Sequence, residues 1–252
     1  MLDGERVDRS ASDEQVARVH TEPYLRQLCS IEAPTLLDAD TVCTETSWEA
    51  ALLAAGIALE AVDRGGFALV RPPGHHALAD RAMGFCLLNN VAVAARYAQR
   101  ELRLERVAIV DFDVHHGNGT EAIFQGDGSV LFCSLHQWPF YPGTGGPGTG
   151  DETTVNVPLP AGAEDSEFLA AFEQLVEPAV RAFEPELVLV SAGFDAHLED
   201  PLGGLALSDG CFRELGKRCA ALAPRLAAVL EGGYNLATLP RLVAAAKAGF
   251  ES

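Results

Sequence analysis

Residues Val107–Thr120 read VAIVDFDVHHGNGT, and this stretch decides the fold. Val107, Ala108, Ile109 and Val110 form a continuous apolar run, the pattern of a strand covered on both faces. The run then enters Asp111, Asp113, His115 and His116, followed by a turn of small residues, Gly117-Asn118-Gly119. Alternate residues of a strand share a face, so Asp113 and His115 are placed to aim at one point, with Asp111 behind them. A buried strand has no structural use for two carboxylates and two imidazoles at its end. Such groups are costly to desolvate unless they are paired or bind a cation. The stretch therefore predicts a metal or catalytic site at the carboxyl end of a central strand.

Working outward, residues 1–12 read as a flexible or partly docked tail. A helical pattern from Asp13 to about Ser30 carries Val16, Val19, Leu25 and Leu28 on its apolar face, with Pro23 interrupting it. Ser47 is placed to cap a helix from Trp48 to Asp63 that ends at Gly65-Gly66. Phe67–Val70 reads as a short strand entering RPPGHHAL, which holds His75 and His76. A helix from Val91 to Glu101 precedes the opening strand, and a short one from Thr120 to Phe124 follows it. Val130–Leu135 is a strand leading into QWPFYPGTGGPGTGD, whose length and aromatic content suit a binding rim. Asp165 or Ser166 caps a helix to Phe183. The strand Leu187–Ala192 ends in Gly193-Phe194-Asp195-Ala196-His197. Ser208 begins a further helix. The strand Leu226–Leu230 ends in Glu231-Gly232-Gly233-Tyr234-Asn235, and a last helix from Ala237 to Ala248 is closed by Gly249.

Strands alternate with helices, and neither a composition shift nor a repeat divides the chain. The expectation is α/β: one domain over residues 1–252, a three-layer sandwich with a mainly parallel sheet and helices on both faces. In such sheets ligands bind beyond the carboxyl ends of the strands. Four strands here end in unusual polar groups: His75/His76, Asp113/His115, Asp195 and Tyr234. Their convergence is the strongest functional signal in the chain.

Composition bounds the partners. The 252 residues carry 36 acidic and 18 basic side chains, a formal charge of −18. That balance excludes non-specific nucleic-acid binding, which needs a basic face. No apolar run reaches the ~18 residues of a membrane span, and the polar start MLDGERVDRSASDEQ does not read as a signal peptide. Six cysteines lack any C-x-x-C pair, which argues against a cysteine zinc site and for reduced thiols in a cytoplasmic protein.

Asp113, His115 and Asp195 are the ligand set these residues offer: one imidazole and two carboxylates, with a position open for water, suit a catalytic Zn²⁺. Fe²⁺ and Mn²⁺ are also compatible. The plainer alternative makes Asp195 a turn cap and His115 a core histidine. His116 and His197 stay outside the ligand set. His75 and His76 suit proton transfer, with Asp111 and Asn118 as orienting partners; the alternative is two histidines in a Pro-Gly turn. Tyr234 follows a Gly-Gly pair that permits close backbone approach, and its hydroxyl can donate to a developing oxyanion; the alternative is a packed rim aromatic. The meeting of four strand ends outweighs each plain reading.

Taken together, RPPGHHA, GFCLLNN, DFDVHHGNGT, SLHQWPFYPGTG, SAGFDAHLEDPLGG and EGGYNL resemble the zinc-dependent histone deacetylase family, of the arginase/deacetylase fold. The resemblance runs from about Val19 to Leu239. Asn118 and the GFDAH phrase are more similar to class II and bacterial deacetylase-like members. The resemblance implies zinc on Asp113, His115 and Asp195, His76 as general base and acid, and His75 as its electrostatic partner, paired with Asp111. Asn118 stands where many members have aspartate. Tyr234 would polarise the amide carbonyl. Phe85 and Tyr141 would wall the acyl-lysine tunnel beside Gly84, whose carbonyl would accept the amide N–H. A structural K⁺ is implied near Asp111, Asp113, His115, Ser134 and Leu135, and a second near Phe124, Asp127, Val130 and Thr153.

The implied substrate is an acetylated lysine of a peptide or protein. Acetylpolyamine is the first alternative, but polyamine-selective relatives often carry an acidic gatekeeper after the Asp-Pro that here is Asp200-Pro201, and this chain has Leu202. A binuclear ureohydrolase would need further aspartates, and Gly117 follows His116. A non-catalytic module would not need His75, His76 and Tyr234. The family's HPE-type segment, with its arginine, does not precede the Asp13 helix.

Overall fold

A computed structural model describes residues 4–252. The N-terminal helical pattern resolves into α1 (Asp13–Val16) and α2 (Glu22–Cys29). Pro23 interrupts neither. It sits in the first turn of α2, where a missing N–H breaks no helical bond. A short hairpin of β1 (Thr35–Leu36) and β2 (Val42–Cys43) follows. Then come α3 (Ser47–Arg64), β3 (Phe67–Ala68), α4 (Asn90–Glu101), β4 (Val107–Asp111), α5 (Asn118–Phe124) and β5 (Val130–Gln137). The second half holds β6 (Gly150–Asp151), β7 (Thr154–Leu159), α6 (Asp165–Ala171), a π-helical turn over Phe172–Val176, and α7 (Glu177–Phe183). It closes with β8 (Leu187–Ala192), α8 (Asp209–Ala220), β9 (Leu226–Leu230) and α9 (Leu239–Phe250).

Seven strands form one sheet in the order β3-β9-β8-β4-β5-β7-β6, and only the β6–β7 pair is antiparallel. The apolar runs divide by parity, as a pleated strand requires. Val107, Ile109, Val130, Phe132, Leu187 and Leu189 enter one core with α1–α4. Ala108, Val110, Leu131, Cys133, Val188 and Val190 enter the other with α6–α9. This is the expected three-layer α/β arrangement. The parallel pairing brings the carboxyl ends of β4, β8 and β9 to one edge. Residues 9–11 lie along α3: Ala11 N donates to Leu52 O at 2.8 Å, and Arg9 reaches Glu60 and Asp63 at 2.8 and 2.7 Å. Among the described residues, no helix is long and apolar enough to cross a membrane.

Other local expectations change as well. Ser47 is inside α3, and its hydroxyl accepts the Thr44 N–H at 2.9 Å rather than capping the helix. Only Phe67 and Ala68 pair in β3, because Leu69 and Val70 already belong to the loop leading to the histidines. Strand β7 is unforeseen; Asn156 and Pro158 dilute its pattern, and its pairing with β5 makes it a strand. Gly249 lies within α9, not after it. A Cβ there would stand 2.1 Å from Arg213 O of α8, so this glycine serves helix–helix approach.

Candidate active site

Beyond Asp111, strand alternation no longer positions the side chains. Asp111 Oδ1 accepts the Asp113 N–H at 3.0 Å, and Asp113 Oδ1 accepts the His115 N–H at 2.9 Å. Successive aspartate turns curl the backbone and bring Asp113 and His115 together. Asp195, arriving from β8, accepts the Val114 N–H at 2.9 Å through Oδ1. His115 Nδ1 then lies 3.0 Å from Asp113 Oδ1 and 3.2 Å from Asp195 Oδ2. One ligand atom from each residue falls within 4.8 Å of the others. Gly193 and Gly232 make room: Cβ atoms there would stand 2.2 Å from Asp113 Oδ2 and 2.0 Å from Asp195 Oδ2.

Both carboxylates are buried, and Asp195 Oδ2 accepts no hydrogen bond. Burial, then the charge of Asp113, raises the Asp195 carboxyl to about 6. An orphaned buried oxygen beside a second carboxylate is costly without a cation. The O, N, O donor set and the orphaned atom fit a divalent metal.

The loop after β3 delivers the histidine pair, their ring centroids 4.0 Å apart. His75 Nδ1 lies 2.9 Å from Asp111 Oδ2, and His76 Nδ1 lies 2.8 Å from Asn118 Oδ1. Burial alone would lower His75, but the charges of Asp113 and Asp111 outweigh it and raise the imidazole well above its ordinary value. Burial and the neighbouring His75 lower His76. An Nδ1–H donated to Asn118 leaves Nε2 of His76 as the basic nitrogen.

A cavity of about 250 Å³ is lined by Asp40, His76, Gly84, Phe85, His115, Tyr141, Leu202 and Tyr234. Phe85 and Tyr234 meet edge-on at 5.8 Å between centroids, and His76 and Tyr141 at 5.2 Å. Phe85 holds a left-handed φ of 67°, and its N–H donates to Thr41 Oγ1 at 3.0 Å. Such strain in a non-glycine residue persists where surrounding structure imposes it. Burial raises the Tyr234 phenol, and Asp195 and Asp113 add to the effect, so the hydroxyl keeps its proton. The Gly84 carbonyl accepts the Cys86 thiol at 3.3 Å.

Sequence reading missed three residues here. Asp40 reaches the cavity from the loop between β1 and β2, and nothing in its local pattern signals that. Glu231 is buried, and burial raises it to about 7. Its Oε2 accepts the N–H groups of Gly74 and His75 at 2.7 and 3.1 Å. A glutamate ending an apolar strand was the available signal. Arg71 donates to the carbonyls of Glu231 and Gly233 and stands 5.7 Å from the Tyr234 ring centroid.

Of the residues implied for potassium, Asp111 is in register with Ser134, which precedes Leu135 on β5. Ser134 Oγ lies 3.0 Å from His136 Nδ1. Phe124, Asp127, Val130 and Thr153 surround the start of β5: Phe124 O accepts Asp127 N, Asp127 O accepts Val130 N, and Thr153 O accepts Phe132 N. The Asp127 carboxylate pairs with Arg96 at 2.7 Å. His116 turns away to Thr144, Asn156 and Glu121, and His197 bonds Asp209 at 3.1 Å.

A family model described as "Histone deacetylase domain" matches residues 2–250. A "Probable deacetylase" of Archaeoglobus fulgidus is 42% identical, over 96% of this chain and 73% of that protein. "Histone deacetylase 10, chloroplastic" of Oryza sativa subsp. japonica is 43% identical, over 93% of this chain; the chain spans 60% of the rice protein. The crystal structure of the HDA15 HD domain superposes with a TM-score of 0.91 at 38% identity, covering 96% of this chain and 73% of that one. A buried Asp-His-Asp cluster under a tunnel, on a parallel sheet matched along nearly its whole length, has one consistent origin: the chain belongs to the histone deacetylase family.

Proposed function

We propose that this chain hydrolyses the acetyl or other acyl amide of a lysine side chain, with Zn²⁺ held by Asp113, His115 and Asp195. One observation carries the reading: the Asp-His-Asp cluster adjoins a narrow cavity that also presents a histidine base and a protonated phenol. Zinc in that cluster supplies Lewis acidity and lowers the pKa of bound water toward 7. The lysine stem runs between Phe85 and Tyr141 past Gly84, with Leu202 at the mouth. Tyr234 donates its hydroxyl hydrogen bond to the amide oxygen as negative charge develops there. His76 takes a proton from the attacking water through Nε2 and returns it to the departing amine. His75, held by Asp111, and Asn118, bonded to His76, orient the base. Water and amide become carboxylate and free amine.

A structural K⁺ belongs to Asp111, Asp113, His115, Ser134 and Leu135, and a second to Phe124, Asp127, Val130 and Thr153. An acylated lysine in a peptide or protein is the favoured substrate over acetylpolyamine, because Leu202 stands where an acidic gatekeeper would be; Asp40, the carboxylate that lines the cavity, reaches it from the β1–β2 loop instead. The protein is read as cytoplasmic, on free cysteines. In Tyr234→Phe, turnover of acetyl-lysine peptides should fall about 10²–10³-fold, the effect of one oxyanion donor, with metal content unchanged. Unimpaired turnover removes the role of Tyr234, and turnover that resists chelators removes the zinc. A panel including acetylpolyamines decides the amine.

A further inference from the structure

The loop that carries the histidine pair and the loop that carries Tyr234 come from different strands, β3 and β9. Each is held by a charged side chain of the other. Glu231, the first residue after β9, gives one carboxylate oxygen to two consecutive N–H groups, Gly74 and His75, at 2.7 and 3.1 Å. Its other oxygen lies 3.4 Å from the Ser191 hydroxyl on β8. In the opposite sense, Arg71 donates to the carbonyls of Glu231 and Gly233, on either side of the glycine that precedes the tyrosine loop. Between the two loops, both charged heads go to backbone. A fully buried carboxylate is retained only where its bonds are needed. Charge-assisted bonds to adjacent amides fix position more stiffly than neutral ones.

We infer that Glu231 is a positioning residue: its carboxylate locks the His75–His76 loop to the end of β9 and so sets His76 relative to Tyr234. The inference rests on the base role proposed above for His76. Glu231 neither lines the cavity nor belongs to the Asp-His-Asp cluster, so it acts through the loop.

Steady-state turnover of an acetyl-lysine peptide tests this, with the Tm of every variant recorded. In Glu231→Leu, kcat should fall about tenfold or more, as for a displaced catalytic group, while KM changes by less than about threefold. Glu231→Gln keeps an amide oxygen for both N–H groups and should stay within about threefold of the parent. In a His76→Ala background, Glu231→Leu should lower turnover less than about twofold further, because an absent base cannot be misplaced. An unchanged kcat in Glu231→Leu, equal damage in Glu231→Gln, or the same fold-loss in both backgrounds overturns the inference. Should Glu231→Leu not fold, Glu231→Asp draws the carboxylate back by one methylene; its loss of kcat should vanish in a His76→Ala background, and a loss of the same size there overturns the inference. Parent-level turnover in His76→Ala alone would instead remove the base assignment.

Discussion

The chain contains two His-His pairs, His75-His76 and His115-His116, and the fold uses them in opposite ways. The first pair sits in a loop, and its rings lie 4.0 Å apart at a tilt of 40°, with both imidazoles in the site. One is bonded to Asp111 and the other to Asn118. The second pair follows the aspartate turns beyond β4, and its rings diverge. His115 faces Asp113 and Asp195, while His116 is buried among Thr144, Asn156 and Glu121. Two identical dipeptides therefore yield three groups in the site and one strut behind it. What separates them is backbone direction: the aspartate turns beyond β4 aim His115 inward and His116 away, whereas the tight loop after β3 brings both of its imidazoles to the site.

The largest effect should come from the inward member of the second pair. In His115→Ala, metal content should drop to background and turnover by about 10⁴-fold or more, measured by elemental analysis and peptide assay. Retained metal would break the division of roles. Next comes His76→Ala, which should cost about 10²–10⁴-fold in kcat, the range for a general acid–base group. Its metal content should match the parent, which separates base from ligand.

The first pair also depends on a histidine outside it. His20 Nδ1 donates to Leu78 O at 3.0 Å, and its Nε2 accepts the Asn89 N–H at 2.9 Å, so the ring is a neutral clasp on the loop carrying His75 and His76. Burial lowers this imidazole from 6.5 to about 4. Between those values the unfolded chain binds a proton that the native state does not. Stability present above pH 6.5 is therefore lost as pH falls toward 4, by about 3 kcal/mol from this group. In His20→Gln that component of the pH slope should disappear from urea-unfolding curves, and an unaltered slope would show that His20 is not the group responsible.

The smallest effect should come from the outward member, His116. Replacement by Leu leaves Glu121, Thr144 and Asn156 short of a partner; these groups are partly exposed, so the loss should be about 1 kcal/mol. That corresponds to roughly 2–4 °C in Tm per kcal/mol for a chain of this size. Turnover should stay within a few-fold of the parent, and a large kcat loss with an unchanged Tm would erase the contrast between the pairs.

Much of this was legible in residues alone. The run Val107–Val110 announced a two-sided strand, and parity divided its side chains between two cores. Asp195 and Tyr234 announced themselves by standing where apolar strands end. Misplaced features were local ones that contacts override. Ser47 bonds backward to Thr44, and Gly249 continues α9 because α8 presses against it. Asp40 was invisible, since a loop aspartate carries no mark of the cavity it will line.

The sequence by itself determined the fold class and the chemical inventory: hydrophobic periodicity sets which elements form, and unusual polar residues at strand ends cannot be explained by packing. Only the tertiary structure decided which polar groups share a site. Asp195 lies 80 residues beyond His115, yet Asp195 Oδ2 stands 3.2 Å from His115 Nδ1. Glu231, 156 residues after His75, holds that histidine's amide. Such pairings follow from strand order and from glycines that let carboxylates approach, and no local pattern encodes either.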